Sequence, residues 1–107
     1  MLDGKIALVT GASRGIGKAI ALTLGGSGAT IIGTATSQVG ADSISKMLVD
    51  KKISGKGVVL NVTDKDQISN LHETIKNDLG SVDILINNAG ITRDNILLRM
   101  KEDEWED

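Results

Sequence analysis

Three glycines at positions 11, 15 and 17 stand between a short apolar run and an amphipathic stretch, and this juxtaposition constrains the fold more than any other feature of the chain. Lys5-Ile6-Ala7-Leu8-Val9-Thr10 reads as a buried parallel strand, because it is short, apolar and bounded by glycines. Gly15 to Leu24 reads as a helix that turns Ile16, Ala19, Ile20, Thr23 and Leu24 to one face. A glycine turn between such a strand and such a helix sets the free N–H groups of the first helical turn at the carboxyl edge of a sheet, where they form an anion site. In that turn Gly11 permits the tight reversal, Gly15 lets the backbone approach a phosphate, and Gly17 allows helix and strand to pack closely. A plain strand-to-helix turn is the alternative.

The alternation continues along the chain. Gly25-Gly26-Ser27-Gly28 ends the first helix, and Ala29 to Thr34 reads as a second strand. Ala41 to Lys52 is a weaker helix facing inward through Ile44, Met47 and Leu48, and Gly57 to Asn61 is a third strand. A further helix is capped by Thr63, carries Asp64 and Asp66 at its positive end, repeats Ile68, Leu71, Ile75 and Leu79 on one face, and stops at Gly80. Val82 to Ile86 is a fourth strand, Asn95 to Met100 a short apolar turn or helix, and Lys101 to Asp107 the start of another helix. Strands separated by single helices imply right-handed βαβ units and a parallel sheet. The expected class is therefore α/β, the amino-terminal half of a Rossmann-type doubly wound sheet, with about four strands in the order 3-2-1-4. In such a half-sheet, strand 82–86 is left as an exposed apolar edge that recruits other strands.

Charge narrows the ligand. Between Gly4 and Ala41 there is no Asp or Glu, while Lys5, Arg14 and Lys18 fall in that stretch. A carboxylate-poor segment around a glycine loop suits a polyanion such as a dinucleotide. A net charge of −2 argues against a nucleic-acid surface, and no apolar run reaches the roughly 18 residues of a membrane span. With no cysteine, disulfides and cysteine-based metal or catalytic sites are excluded. His72, beside the apolar stripe of its helix, reads as a half-exposed surface residue without a metal role. Neither a basic segment nor an apolar leader opens the chain, so a cytoplasmic setting is expected.

The spacing G-x-x-x-G-x-G over Thr10 to Gly17, with Asn87-Asn88-Ala89-Gly90 after the fourth strand, resembles the short-chain dehydrogenase/reductase family. Gly33-Thr34-Ala35-Thr36-Ser37, Leu60-Asn61-Val62-Thr63-Asp64 and Gly90-Ile91-Thr92-Arg93-Asp94-Asn95 resemble the branch that reduces 3-oxoacyl-[acyl-carrier-protein]. The resemblance covers nearly the whole chain. It implies NADPH-dependent reduction of the 3-oxoacyl thioester to the 3-hydroxyacyl thioester in fatty-acid synthesis, and a homo-oligomer, a tetramer by family. It also implies roles for individual residues. Gly11, Ala12, Ser13, Arg14, Gly15 and Ile16 would wrap the pyrophosphate and adenosine ribose, with Gly17 beneath them. Asn61 and Val62 would flank the adenine, and Asn88, Ala89 and Gly90 would lie along the nicotinamide-side ribose, while Asn87 steadies the sheet. Many members of the family carry an acid where this chain has Asn61, whose amide can still hydrogen-bond adenine.

The choice of dinucleotide follows from a missing acid. Enzymes that bind NAD place a carboxylate after the second strand to hold the ribose hydroxyls. Here Gly33 to Ser37 has none, Arg14 can grip a 2′-phosphate, and Thr36 or Ser37 can add a hydroxyl donor, so NADP(H) is expected. The reaction that the family performs needs a tyrosine proton donor assisted by lysine, serine and asparagine. This chain has no tyrosine, so residues 1–107 are expected to be the NADP(H)-binding part of one domain, truncated before the catalytic groups and carrying no catalytic residue or metal site. Two other readings remain: a non-catalytic nucleotide-binding or interaction module, and a methyltransferase-type Rossmann domain, which would want an acid after the second strand.

Overall fold

The computed structural model describes residues 1–61 and 63–88, and the backbone of 98–99. The first strand, β1 (Ile6–Val9), is buried along its whole length and lies at the middle of the sheet. It pairs in parallel with β2 (Thr30–Ala35) on one side and with β4 (Ile84–Ile86) on the other, and β2 pairs in parallel with β3 (Gly55–Val59). The parallel order is thus 3-2-1-4, as the alternation of strands and helices implies.

Side chains leave β1 alternately, so one strand feeds two cores. Ala7 and Val9 join Ile31, Ile84 and Ile86 under helices α1 (Gly15–Gly26) and α2 (Gln38–Asp50), through Ala21, Ile44 and Leu48. Ile6 and Leu8 join Ile32 and Leu85 on the opposite face, against Ile75 and Leu71 of helix α3 (Lys65–Asp78). Helices therefore cover both faces, the doubly wound arrangement. Asp83 locks β4 to the start of β1, accepting from the Ile6 N–H at 2.9 Å while its own N–H donates to the Ile6 carbonyl at 2.9 Å.

Several sequence expectations are corrected. Helix α1 keeps Ile16, Ala19, Ile20, Thr23 and Leu24 on one face, but it is Gly17 and Ala21 that are buried, with Ile20 and Leu24 only partly so and Ile16 64% exposed. The close approach of α1 to the glycine turn selects its smallest face, one turn apart at Gly17 and Ala21, and swings Ile16, Ala19 and Thr23 outward. Helix α2 begins at Gln38, not Ala41, because Ser37 caps it by accepting from the Gly40 N–H at 3.1 Å. The cap of α3 is Asp64 rather than Thr63, its side chain accepting from the Asp66 and Gln67 N–H groups. Strand β3 runs two residues earlier than its apolar run suggests, and Leu60 and Asn61 fall in the loop beyond it.

The open side of β4 is also corrected. Residues Leu98–Arg99 form a fifth strand, β5, antiparallel to β4, in the register Leu85↔Arg99 and Ile86↔Leu98. A turn or helix over 95–100 would leave the backbone groups of β4 unpaired, and an apolar edge recruits a nearby extended segment. The rest of 95–100 and the helix expected over 101–107 lie outside the described residues. No described helix is long and apolar enough to cross a membrane.

Candidate functional site: the glycine loop and its pocket

The loop between β1 and α1 is built by the residues that flank it. The Thr34 hydroxyl of β2 accepts from the Gly11 N–H at 3.2 Å, and the Thr34 carbonyl accepts from the Ala12 N–H at 2.9 Å. Two loop amides are thus used to hold the turn against the sheet. Gly11 and Gly15 both take positive φ, +64° and +65°, a region that side-chain-bearing residues rarely adopt. The turn between them carries the chain over the end of β1 and into α1. No acid stands in the first turn of α1, and Arg14, its N-cap, makes no side-chain cap hydrogen bond. The positive end of the helix dipole is consequently open to an anion.

Gly17 sits where the helix crosses the turn. A Cβ placed there would fall 2.8 Å from the Gly11 carbonyl carbon and 2.7 Å from the Asn88 Nδ2, well inside contact distance. A Cβ at Gly15 would meet nothing within 4 Å, so the space above that residue is open. At Gly33 a Cβ would meet the Ala12 Cβ and the Ile44 Cγ2, both at 2.9 Å, so α2 and the loop press together over β2.

Thr10 and the residues after β4 close the far side. The Asn88 N–H donates to the Thr10 hydroxyl oxygen at 2.9 Å, the Asn88 Nδ2 donates to the Gly11 carbonyl at 3.3 Å, and the Thr10 hydroxyl lies 3.3 Å from the Asn87 Oδ1. The carboxyl ends of β1 and β4 are therefore tied into one rim. Beside this rim opens a pocket of about 280 Å³, lined among others by Gly11, Ser13, Arg14, Thr36, Leu60 and Asn88. It lies beyond the carboxyl ends of the parallel strands, where open α/β sheets bind their ligands.

The residues singled out in the sequence do not all meet at this pocket. Gly11, Ser13, Arg14, Thr36 and Asn88 share the pocket. Ala12 is fully buried, Gly17 lies beneath the loop, and Gly15 and Ile16 stand exposed at the start of α1. Asn61 follows the pocket-lining Leu60 in an exposed loop, with its Oδ1 accepting from the Thr63 N–H at 3.0 Å and the Thr63 hydroxyl at 2.7 Å. Val62, Ala89 and Gly90 lie outside the described residues. Sequence reasoning missed Thr34, whose role needs the pairing of β1 with β2, and Leu60. It also missed Gln67, although Asp64 followed by Gln67 is a legible capping-box spacing.

A cleft of about 350 Å³ on the opposite face, between α3 and strands β2 and β3, is walled mainly by Ile32, Val58, Leu71, Ile75 and Leu79. No group of three or more His, Cys, Asp or Glu that could hold a metal occurs among the described residues. Polar groups suited to an anionic ligand converge at the glycine loop, not there.

The geometry agrees with comparisons to known proteins. The family described as short chain dehydrogenase matches residues 5–107. The chain is 64% identical over 106 residues to 3-oxoacyl-[acyl-carrier-protein] reductase FabG of Haemophilus influenzae, covering 99% of this chain and 43% of that protein. It is 61% identical to the reductase of the same name from Vibrio harveyi over 99% of this chain and 42% of the relative, and 61% identical to that of Escherichia coli over 98% and 42%. The chain thus spans less than half the length of these relatives. With the glycine loop, the parallel order of its strands and a family match running to its last residue, the chain belongs to the short chain dehydrogenase family.

Proposed function

We propose that residues 1–107 are the NADP(H)-binding part of a reductase that converts 3-oxoacyl-[acyl-carrier-protein] to 3-hydroxyacyl-[acyl-carrier-protein]. One observation carries the cofactor reading: the pocket beside the glycine loop contains Arg14 and Thr36 and is lined by no carboxylate among the described residues. An arginine and a hydroxyl without an acid suit a 2′-phosphate and do not suit the paired ribose hydroxyls of NAD. The residues also fit the rest of the group. Gly15 leaves open space for a phosphate above the first turn of α1, and that turn holds no acid to repel it. In this reading Ser13, Arg14, Gly15 and Ile16 hold the pyrophosphate and adenosine ribose, Arg14 and Thr36 hold the 2′-phosphate, Asn61 and Val62 flank the adenine, and Asn88, Ala89 and Gly90 follow the nicotinamide-side ribose. The bound cofactor would supply the hydride for a carbonyl. These residues bind and orient it. The names of the relatives support the carrier-bound substrate. A homo-oligomer in the cytoplasm completes the proposal.

The test is a pair of titrations on the chain and on Arg14→Ala. NADPH affinity should fall about ten- to a hundredfold, the range for loss of charge-assisted hydrogen bonds, while NADH affinity should barely change. Equal losses for both cofactors would remove the role given to Arg14.

A further inference from the structure

The loop between β3 and α3 is held by an unusual capping arrangement. In a capping box, the N-cap side chain accepts from the N–H three residues on, and that residue's side chain reaches back to the N-cap N–H. Asp64 makes the forward half, accepting from the Gln67 N–H at 3.2 Å. The reverse half is displaced, because the Asp64 N–H is already engaged with the Asn61 carbonyl at 3.0 Å. Gln67 instead extends further, its Oε1 accepting from the Asn61 N–H at 2.9 Å and its Nε2 donating to the Asp64 Oδ2 at 3.3 Å. Asn61 is thereby fixed at its N–H by Gln67, at its carbonyl by Asp64, and at its Oδ1 by both polar groups of Thr63. Its Nδ2 alone has no bond among the described residues. The preceding residue, Leu60, is buried, anchored by its N–H to the Ala35 carbonyl at 2.9 Å, and lines the glycine-loop pocket.

We infer that Gln67 is a positioning residue for the base-binding end of the site: it sets Asn61 so that this side chain meets the base as a hydrogen-bond donor. The inference rests on the cofactor reading given above and adds a residue to it that touches neither the pocket nor the ligand. An amide whose oxygen is committed to the chain offers a base only N–H. It therefore selects a ring with unprotonated nitrogens on its edge, as adenine has.

The experiment is a double-mutant cycle read with adenosine 2′,5′-bisphosphate, which carries the base and the 2′-phosphate without the nicotinamide. Asn61→Ala and Gln67→Ala should each weaken binding about three- to tenfold, the range for one ordinary hydrogen bond. The double variant should be no weaker than Asn61→Ala alone, since Gln67 acts through Asn61. The pair Asp64→Asn with Gln67→Glu, which keeps an acceptor for the Asn61 N–H and reverses the 64–67 side-chain hydrogen bond without setting two carboxylates together, should bind within about twofold of the unsubstituted chain. Additive losses, a Gln67→Ala variant that binds normally, or failure of the Asp64→Asn/Gln67→Glu pair to restore affinity would overturn the inference and leave the cofactor site standing. Absence of binding to the unsubstituted chain would overturn the site, and this inference with it.

Discussion

Gly17 shows what a single position contributes. Its missing Cβ is the space occupied by the Gly11 carbonyl and the Asn88 amide, so one residue sets the distance among β1, α1 and the end of β4. Gly17→Ala should force these apart, destabilising the fold by about 1–3 kcal/mol, the usual effect of overpacking a tight contact. Urea denaturation measures this, and a midpoint unchanged from the unsubstituted chain would show that the crossing has slack. The sequence motif made the need for a small residue at 17 legible, but not its partner. Asn88 lies far along the chain, and only the pairing of β1 with β4 brings it to the loop. Arg14 was legible in a different way, through the absence of an acid in 33–37.

At the level of elements, periodicity located every strand and helix up to β4, and local hydrogen bonding then moved their ends. Ser37 and Asp64 take the caps because their side chains reach N–H groups two or three residues on, whereas Thr63 is turned back onto the Asn61 Oδ1. Asp64→Ala should therefore destabilise α3 by about 1 kcal/mol. Thr63→Ala should leave helix stability nearly unchanged, and equal losses in chemical denaturation would return the cap to Thr63. The apolar stripe of α1 lies on one face, as its period implies, but docking follows a different constraint. The helix docks where it is smallest, because the glycine turn draws it close. Strand β5 was not legible, since two residues carry no period, and only the apolar edge of β4 explains their pairing.

At the scale of the whole molecule, the chain, as proposed, binds the cofactor but lacks the proton donor of the family reaction. It contains no tyrosine, and the general acid that reduction of a carbonyl requires is typically worth about 10²–10⁴ in rate. The 107-residue chain should not oxidise NADPH in the presence of acetoacetyl thioesters, and steady turnover by a preparation free of longer protein would demand a different proton donor. The central claim is that a dinucleotide binds at the glycine loop through the open end of α1, and the most direct measurement follows backbone amide resonances as NADPH is added. Shifts should concentrate at Ser13, Arg14, Gly15, Ile16, Thr36 and Asn88, around the pocket at the carboxyl ends of the strands, while Leu71, Ile75 and Val58 in the opposite cleft stay unmoved. Shifts centred on that cleft, or no shifts at the glycine loop under saturating NADPH, would contradict the account.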